Sequence, residues 1–292
     1  MKFVNLSTKE DSFIVKFAAY AAFVIPFFVM IVKTIACFLT GSLSVQASFI
    51  DSLSDMIASL AMIISVYISQ KPANKVFQFG FGKVEALGAL IQSVFLFASG
   101  IFVCFEAYES IVTTEEIRYS FVAVIMILMS SALLFALTRI QKYVIKRTDS
   151  LIIKASFIHF HMDILLDLGV LASLSVTHFF GLHYIDSIFG LLFSLYIFRN
   201  SVSILMKSFE VLLDKSLSDE QNESIKNILL SDKDVRYVGD IKTRISGLNK
   251  MIVAKIFVDP GLSVEEFDKI KSDLAEKIKK KHSNSMIIIE SE

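Results

Sequence analysis

Charge is scarce and balanced in this chain. Twenty-nine basic residues stand against 29 acidic ones, charged residues make up 20% of the 292, and the formal net charge is zero. Soluble domains average roughly 25% charged. Nothing global therefore points to nucleic acid or to an acidic partner. Cysteine is nearly absent: Cys37 and Cys104 both fall in apolar segments, and no CxxC occurs. One pair is no disulfide framework, so both read as small core hydrophobes. No HExxH and no nucleophile motif is present, which sets a membrane metalloenzyme well below other readings. The opening MKFVNLSTKEDSF ends without a small-residue cleavage signature. The first apolar segment thus reads as a span, not as a removable signal peptide.

What the chain has in abundance is apolar. Hydrophobic residues make up 54%, with 27 Phe and no Trp, and the mean hydropathy is +0.63. Six runs reach the length of a transmembrane helix, about 20 residues each. They lie near 13–38, 43–69, 84–111, 119–141, 155–179 and 185–206, and Pro26 is expected to kink the first. Lys71, Lys75 and Lys83 follow the second run. Arg139, Lys142, Lys146, Arg147 and Lys154 surround the link from fourth to fifth. The links after the first, third and fifth hold TGSL, ESIVTTEEIR and FFGLHYID, with Arg118 their one basic residue. The positive-inside rule then puts both termini in the cytoplasm. Lys33, near the outer end of the first span, reads as a snorkelling side chain.

Beyond residue 208 the character changes to dense charge with alternating helix and strand periods. SLSDEQNESIKNILLS opens on capping signals and reads as an amphipathic helix. DVRYVGDIKTRISG and NKMIVAKIFVDP alternate like a hairpin turning at SGLN, LSVEEFDKIKSDLAEKIKKKH is a second helix, and SMIIIE a last strand. The expected architecture is six transmembrane helices (1–208) followed by a cytoplasmic, ferredoxin-like α+β domain of order αββαβ (209–292). Lys277, Lys279, Lys280 and Lys281 read as a solvated helix C-terminus favoured by the dipole. A lipid-headgroup patch would lie nearer the membrane than this one.

Two pairs of ionisable residues sit inside the apolar runs. Asp51 and Asp55 lie in SVQASFIDSLSDMIASL, and His159 and Asp163 in ASFIHFHMDILLDLGVL. A charge at bilayer depth costs roughly 2.5–3.5 kcal/mol on insertion scales, so such residues point to function. The alternative is that each faces a water-filled cavity or a helix end. Each pair is spaced i, i+4, on one helical face a turn apart. Three carboxylates and one imidazole make a four-ligand N/O site suited to a divalent transition metal. The two helices run in opposite directions, so the pairs can converge at one depth. The set has no thiolate, so Zn²⁺, Fe²⁺, Co²⁺, Cd²⁺ and Mn²⁺ all remain; Zn²⁺ leads because imidazole with carboxylates suits it. His161, two positions from His159, points to a different face and reads as a packing or hydrogen-bonding residue. Asp167 lies one turn outward of Asp163. It could pass protons to the exterior or briefly hold the ion, or be a carboxylate bonded to another helix.

Six spans, a DxxxD in the second, an HxxxD in the fifth and an αββαβ tail together resemble the cation diffusion facilitator family, closest to its bacterial iron/zinc efflux branch. GSLSVQASFIDSLSD, KPANKVFQFGFGKVEALGAL, HFHMD and FEVLLDKSL follow in the family's order, nearly end to end. The resemblance implies a transport site of Asp51, Asp55, His159 and Asp163 in a homodimer of the bacterial inner membrane. Such a protein is no enzyme and has no prosthetic group; the metal is cargo, exchanged for protons. An aspartate at position 51 is similar to the iron/zinc branch. Lys83 and Asp214 match positions that form a charge interlock between membrane and tail near the dimer seam, with Glu85 placed to join it. Two auxiliary metal sites of the family look lost. Asn74, Phe77 and Phe81 replace one. Gly239, Lys255, Ile289 and Ser291 replace most of the other, leaving Asp268 alone, and His282 reads as a helix-end histidine. These losses make a non-transporting membrane scaffold or partner subunit thinkable, but three carboxylates in lipid argue against it.

Overall fold

The computed structural model describes residues 9–40, 43–113, 121–180 and 185–291. The links holding Gly41, Arg118 and Gly181, and the side chains of Lys33, Cys37 and Asp51, lie outside what is described. Six long helices come first: α1 (Lys9–Thr40), α2 (Leu43–Ser69), α3 (Lys83–Thr113), α4 (Phe121–Thr148), α5 (Leu151–Phe180) and α6 (Ile185–Leu212). Then follow α7 (Asp219–Leu229), β1 (Val235–Ser246), β2 (Asn249–Val258), α8 (Val264–Lys281) and β3 (Ser285–Ser291). The chain divides into two compact units. One holds Phe13–Tyr67 and Glu85–Ser208; the other holds residues 9–12, Ile68–Val84 and the chain from Phe209 onward.

Among the described residues, α1, α3, α4, α5 and α6 are each long and apolar enough to cross a membrane. The described side chains of α2 add a shorter apolar stretch, Asp55–Ser69. The helices outrun the expected spans. α4 continues past 141 to Thr148, with Lys146 and Arg147 in its last turn. An apolar run marks membrane thickness, whereas a helix goes on into water where basic residues complement its C-terminal dipole. α1 runs on through Pro26.

In the helical unit, α3 is small inside and bulky outside. On α3, Ala86, Ala89 and Ser93 are buried, while Phe95, Phe102 and Phe105 are 63%, 62% and 68% exposed. Lipid is as apolar as a side chain, so close packing of small residues holds such helices together. Gly88 shows the need: a Cβ there would lie 2.5 Å from Ser65 Oγ on α2 and 2.7 Å from Ile152 Cδ1 on α5. Buried polar bonds add direction. Gln141 Nε2 donates to Ser156 Oγ at 2.8 Å, tying α4 to α5. Glu85, 4% exposed, accepts the Ser150 hydroxyl at 2.5 Å and the backbone N–H groups of Leu151 and Ile152. A carboxylate on the first turn of α3 therefore caps the N-terminus of α5. It does not join the Lys83 interlock that sequence order suggested, because its side chain is taken up by α5.

In the other unit the sheet has strand order β1-β2-β3, antiparallel then parallel. Ile252, Ala254 and Ile256 alternate into the core, where they meet Ile225 and Leu229 of α7 and Ile270, Leu274 and Ile278 of α8. Full burial of such side chains stabilises by about 1.5–3 kcal/mol each. The hairpin closes at Ser246↔Asn249, with Gly247 at φ +60°, a left-handed value that glycine adopts freely. Ser218 caps α7, and Ser263 with Glu266 forms a capping box on α8. The segment Ile68–Val84 belongs to this unit. Asn74 Oδ1 accepts the N–H groups of Val76 and Phe77 at 2.9 and 2.7 Å, and the Phe77 and Phe81 rings lie 4.7 Å apart.

Candidate metal site

α5 and α2 bring three of the four expected ligands together. His159 Nε2 lies 2.8 Å from Asp55 Oδ1 and 3.7 Å from Asp163 Oδ2. One ligand atom of each residue falls within 4.8 Å of the others, and among the described residues this is the one such group. The fourth, Asp51, is on α2 one turn before Asp55, and its side chain is outside what is described. The i, i+4 spacing on α5 stacks His159 over Asp163, and α2 supplies Asp55 from across the interface. All three side chains are largely buried, 16–25% exposed.

A tetrahedral ion with bonds of about 2.1 Å holds its ligand atoms about 3.4 Å apart. The observed set is close to that size and needs to move by ångströms, not by a turn. Its shortest link, His159 to Asp55, is a hydrogen bond. The proton in it occupies the place a cation would take between the same two atoms. A metal can bind the imidazole only through a bare nitrogen, so a cation and the proton of this contact compete, whichever of the two residues carries the proton.

His161 is not part of the group. Its ring stacks on Phe157, with centroids 5.4 Å apart and planes 10° from parallel. Asp167 is half-buried and accepts hydrogen bonds from Ser131 Oγ at 2.6 Å and Ser130 Oγ at 3.1 Å, both on α4. The two serines escaped the sequence reading, although SS stands out as a polar pair within IMILMSSALLFAL.

Lys83 and Asp214 do meet, Nζ to Oδ1 at 3.0 Å, and Lys83 Nζ also donates to the Leu212 carbonyl at 3.0 Å. Sequence missed the third member: Arg244 on β1 binds Asp214 Oδ2 at 3.1 Å and lies 4.9 Å over the Phe79 ring. Partial burial pushes the Asp214 carboxyl up, but the Lys83 hydrogen bond and the Arg244 charge outweigh it and hold it below the ordinary range. Of the positions expected to match the family's auxiliary metal sites, Asn74 is spent on its turn, Phe77 and Phe81 pack together, and Ile289 is 2% exposed in the core. His282 is 6% exposed at the end of α8, with Nε2 3.2 Å from Ser224 Oγ. Burial, helped by the charges of Lys250 and Lys281, pushes its imidazole down.

A carboxylate–imidazole group between apolar helices, in a chain that also holds a small α/β domain, fits a membrane carrier of cations. Residues 19–213 match the cation efflux transmembrane domain, and residues 217–292 match the cation efflux protein, cytoplasmic domain. The chain belongs to the cation efflux, or cation diffusion facilitator, family: it is an integral membrane transporter of divalent cations, not an enzyme. Among similar proteins, the cation-efflux pump FieF of Cronobacter sakazakii is 29% identical over 272 residues, 93% of this chain and 90% of that one. The Escherichia coli pump of the same name gives the same identity and coverage. Protein p34 of Rickettsia prowazekii is 31% identical over 277 residues, 94% of this chain and 91% of that protein.

Proposed function

We propose that the chain exports a divalent transition metal from the cytoplasm in exchange for protons, with Asp51, Asp55, His159 and Asp163 as the transport site. The observation that carries this reading is the convergence of Asp55, His159 and Asp163 between α2 and α5. Imidazole with carboxylates favours Zn²⁺, with Fe²⁺, Co²⁺, Cd²⁺ and Mn²⁺ also accommodated. The relatives named cation-efflux pump support export of a cation. The hydrogen-bonded His159–Asp55 contact supports the exchange, because a proton and a cation compete for the same nitrogen. Access alternates as helices rock about the site.

The reading includes six spans, with α2 the sixth, and both termini in the cytoplasm of a bacterial inner membrane. Residues 1–208 form the membrane domain and 209–292 the cytoplasmic one. The protein works as a homodimer, with Lys83 and Asp214 as its domain interlock. Uptake of Zn²⁺ into inside-out vesicles under an imposed proton gradient tests it. Transport is expected from the wild type and not from Asp55→Ala or Asp163→Ala; full transport by both variants contradicts the assignment.

A further inference from the structure

The outward half of α5 carries an ionisable group that the cation site does not use. Asp167 lies one turn, about 6 Å of helix rise, beyond Asp163. Ser131 and Ser130 on α4, 9% and 6% exposed, both direct their hydroxyls at the same oxygen, Asp167 Oδ2. We infer that Asp167, bracketed by these two serines, is a proton-carrying group of the exchange, distinct from the cation site. This rests on the proton-coupled reading above.

The argument lies in the hydroxyl protons. Ser130 has one proton and two acceptors for it: Asp167 Oδ2 at 3.1 Å and the Ile127 carbonyl at 3.0 Å. When Asp167 is ionised, both serine protons point at Oδ2. When Asp167 is protonated, its O–H donates to Ser130 Oγ, the Ser130 proton turns to the Ile127 carbonyl, and Ser131 goes on donating. Only hydroxyl rotations at the serines separate the two states, and Oδ2 and both serine oxygens keep a partner in each. Most buried carboxylates have partners that fit one charge state; these fit both. A proton taken from external water forms the Oδ2–H bond. It is given up toward the Asp163 carboxylate when the cation leaves, and Asp167 returns to its ionised form.

α4 carries no titratable residue from Phe121 to Thr138. On α5, Asp163 is the neighbouring ionisable residue inward and His178 the next one outward. α6 meets α5 where Phe193 lies against Gly169, and its ionisable residues to either side are Asp186 in one direction and Tyr196 and Arg199 in the other. Across the interface α2 carries Asp51 and Asp55.

The competing role is a plain interhelical tie, and asparagine would keep that tie: its side-chain oxygen, in the place of Oδ2, accepts from both Ser131 and Ser130. Asp167→Asn therefore separates the two. The experiment measures Zn²⁺ affinity by calorimetry on the purified full chain, and Zn²⁺ uptake into inside-out vesicles as lumenal pH is varied. D167N is expected to bind Zn²⁺ with unchanged affinity but to exchange about tenfold or more slowly, with a flattened dependence on lumenal pH. Asp167→Glu is expected to restore both, and Ser131→Ala to shift the midpoint of the pH profile without loss of binding. A wild-type rate and pH profile in D167N overturns the inference in favour of the tie. Loss of Zn²⁺ binding as severe as in Asp163→Asn overturns it in favour of a ligand. Should D167N not fold, the Ser130→Ala and Ser131→Ala profiles decide: a shifted midpoint supports the inference, an unshifted one overturns it. A wild type that binds Zn²⁺ but moves no protons overturns the exchange reading itself, and the inference with it.

Discussion

The approach of the segment Ile68–Val84 to the β1–β2 hairpin allows a sharp test at Gly82. A Cβ built on Gly82 would lie 2.4 Å from the Ser246 carbonyl oxygen and 2.6 Å from its hydroxyl. Real Cβ contacts stay beyond 3.0 Å, so backbone must yield by at least 0.6 Å, the difference between those two distances. Ser246 is the last residue of β1, paired with Asn249, and cannot retreat without loosening the turn. Overpacking of this kind costs about 1–3 kcal/mol, against about 0.4–1 kcal/mol regained from a stiffer unfolded chain. Gly82→Ala should thus destabilise the contact by about 1–2 kcal/mol. Gly261→Ala is the control, since its Cβ would meet Asp259 Oδ1 at an ordinary 3.4 Å. Hydrogen exchange on the detergent-purified full chain reads the difference. Peptides spanning 68–84 should exchange about 5–30 times faster in G82A and at the wild-type rate in G261A. Wild-type protection in G82A would refute the reasoning.

Arg244→Ala removes both the Asp214 bond and the Phe79 contact and should cost about 1–2 kcal/mol. Lys83→Ala, which breaks a more exposed pair, should cost about 0.2–1 kcal/mol. Exchange of the same peptides ranks them, and the reverse order contradicts the network as described. His282 is held neutral, its folded pKa lying below the unfolded value near 6.5. The unfolded state therefore binds more protons as pH falls below about 6.5, and stability drops with it. Protection of β3, corrected for intrinsic exchange, should decline between about pH 7.5 and 5.5 in the wild type and hold steady in His282→Gln. Finally, Lys255 repels a divalent ion by roughly 4 kcal/mol per unit-charge pair at about 4 Å and an effective dielectric of 20. Zn²⁺ and a chelator should therefore give the same sedimentation profile for the full chain in which Asp55 is replaced by Ala, a background that isolates the tail.

Much of this was legible from sequence because each signal was local. Runs of about 20 apolar residues mark helices whatever they pack against. Alternation in NKMIVAKIFV and the capping signals that open SLSDEQNESIKNILLS marked a strand and a helix start without knowledge of the sheet. The i, i+4 spacing of His159 and Asp163 placed both on one face of α5. What escaped depends on which side of a helix meets which neighbour. An α4 or α5 apolar nearly all round carries no stripe to announce its facing. Hence the bonds from Ser130 and Ser131 to Asp167 could not be read, nor the capture of Glu85 by the start of α5. Arg244 was hidden for a related reason: it is 30 residues from Asp214, and only the hairpin brings it back.

The central claim is that one buried site on α2 and α5 holds the cargo. Zn²⁺ titration calorimetry on the purified full chain, repeated with Asp51, Asp55, His159 and Asp163 each replaced by Ala, tests it most directly. The account predicts one high-affinity ion per chain. It also predicts a loss of at least about 100-fold in every variant, beyond the 10–100-fold that removing an outer-shell partner costs. Stoichiometric binding that survives all four substitutions, or no binding by the wild type, as a scaffold retaining the fold would show, contradicts it.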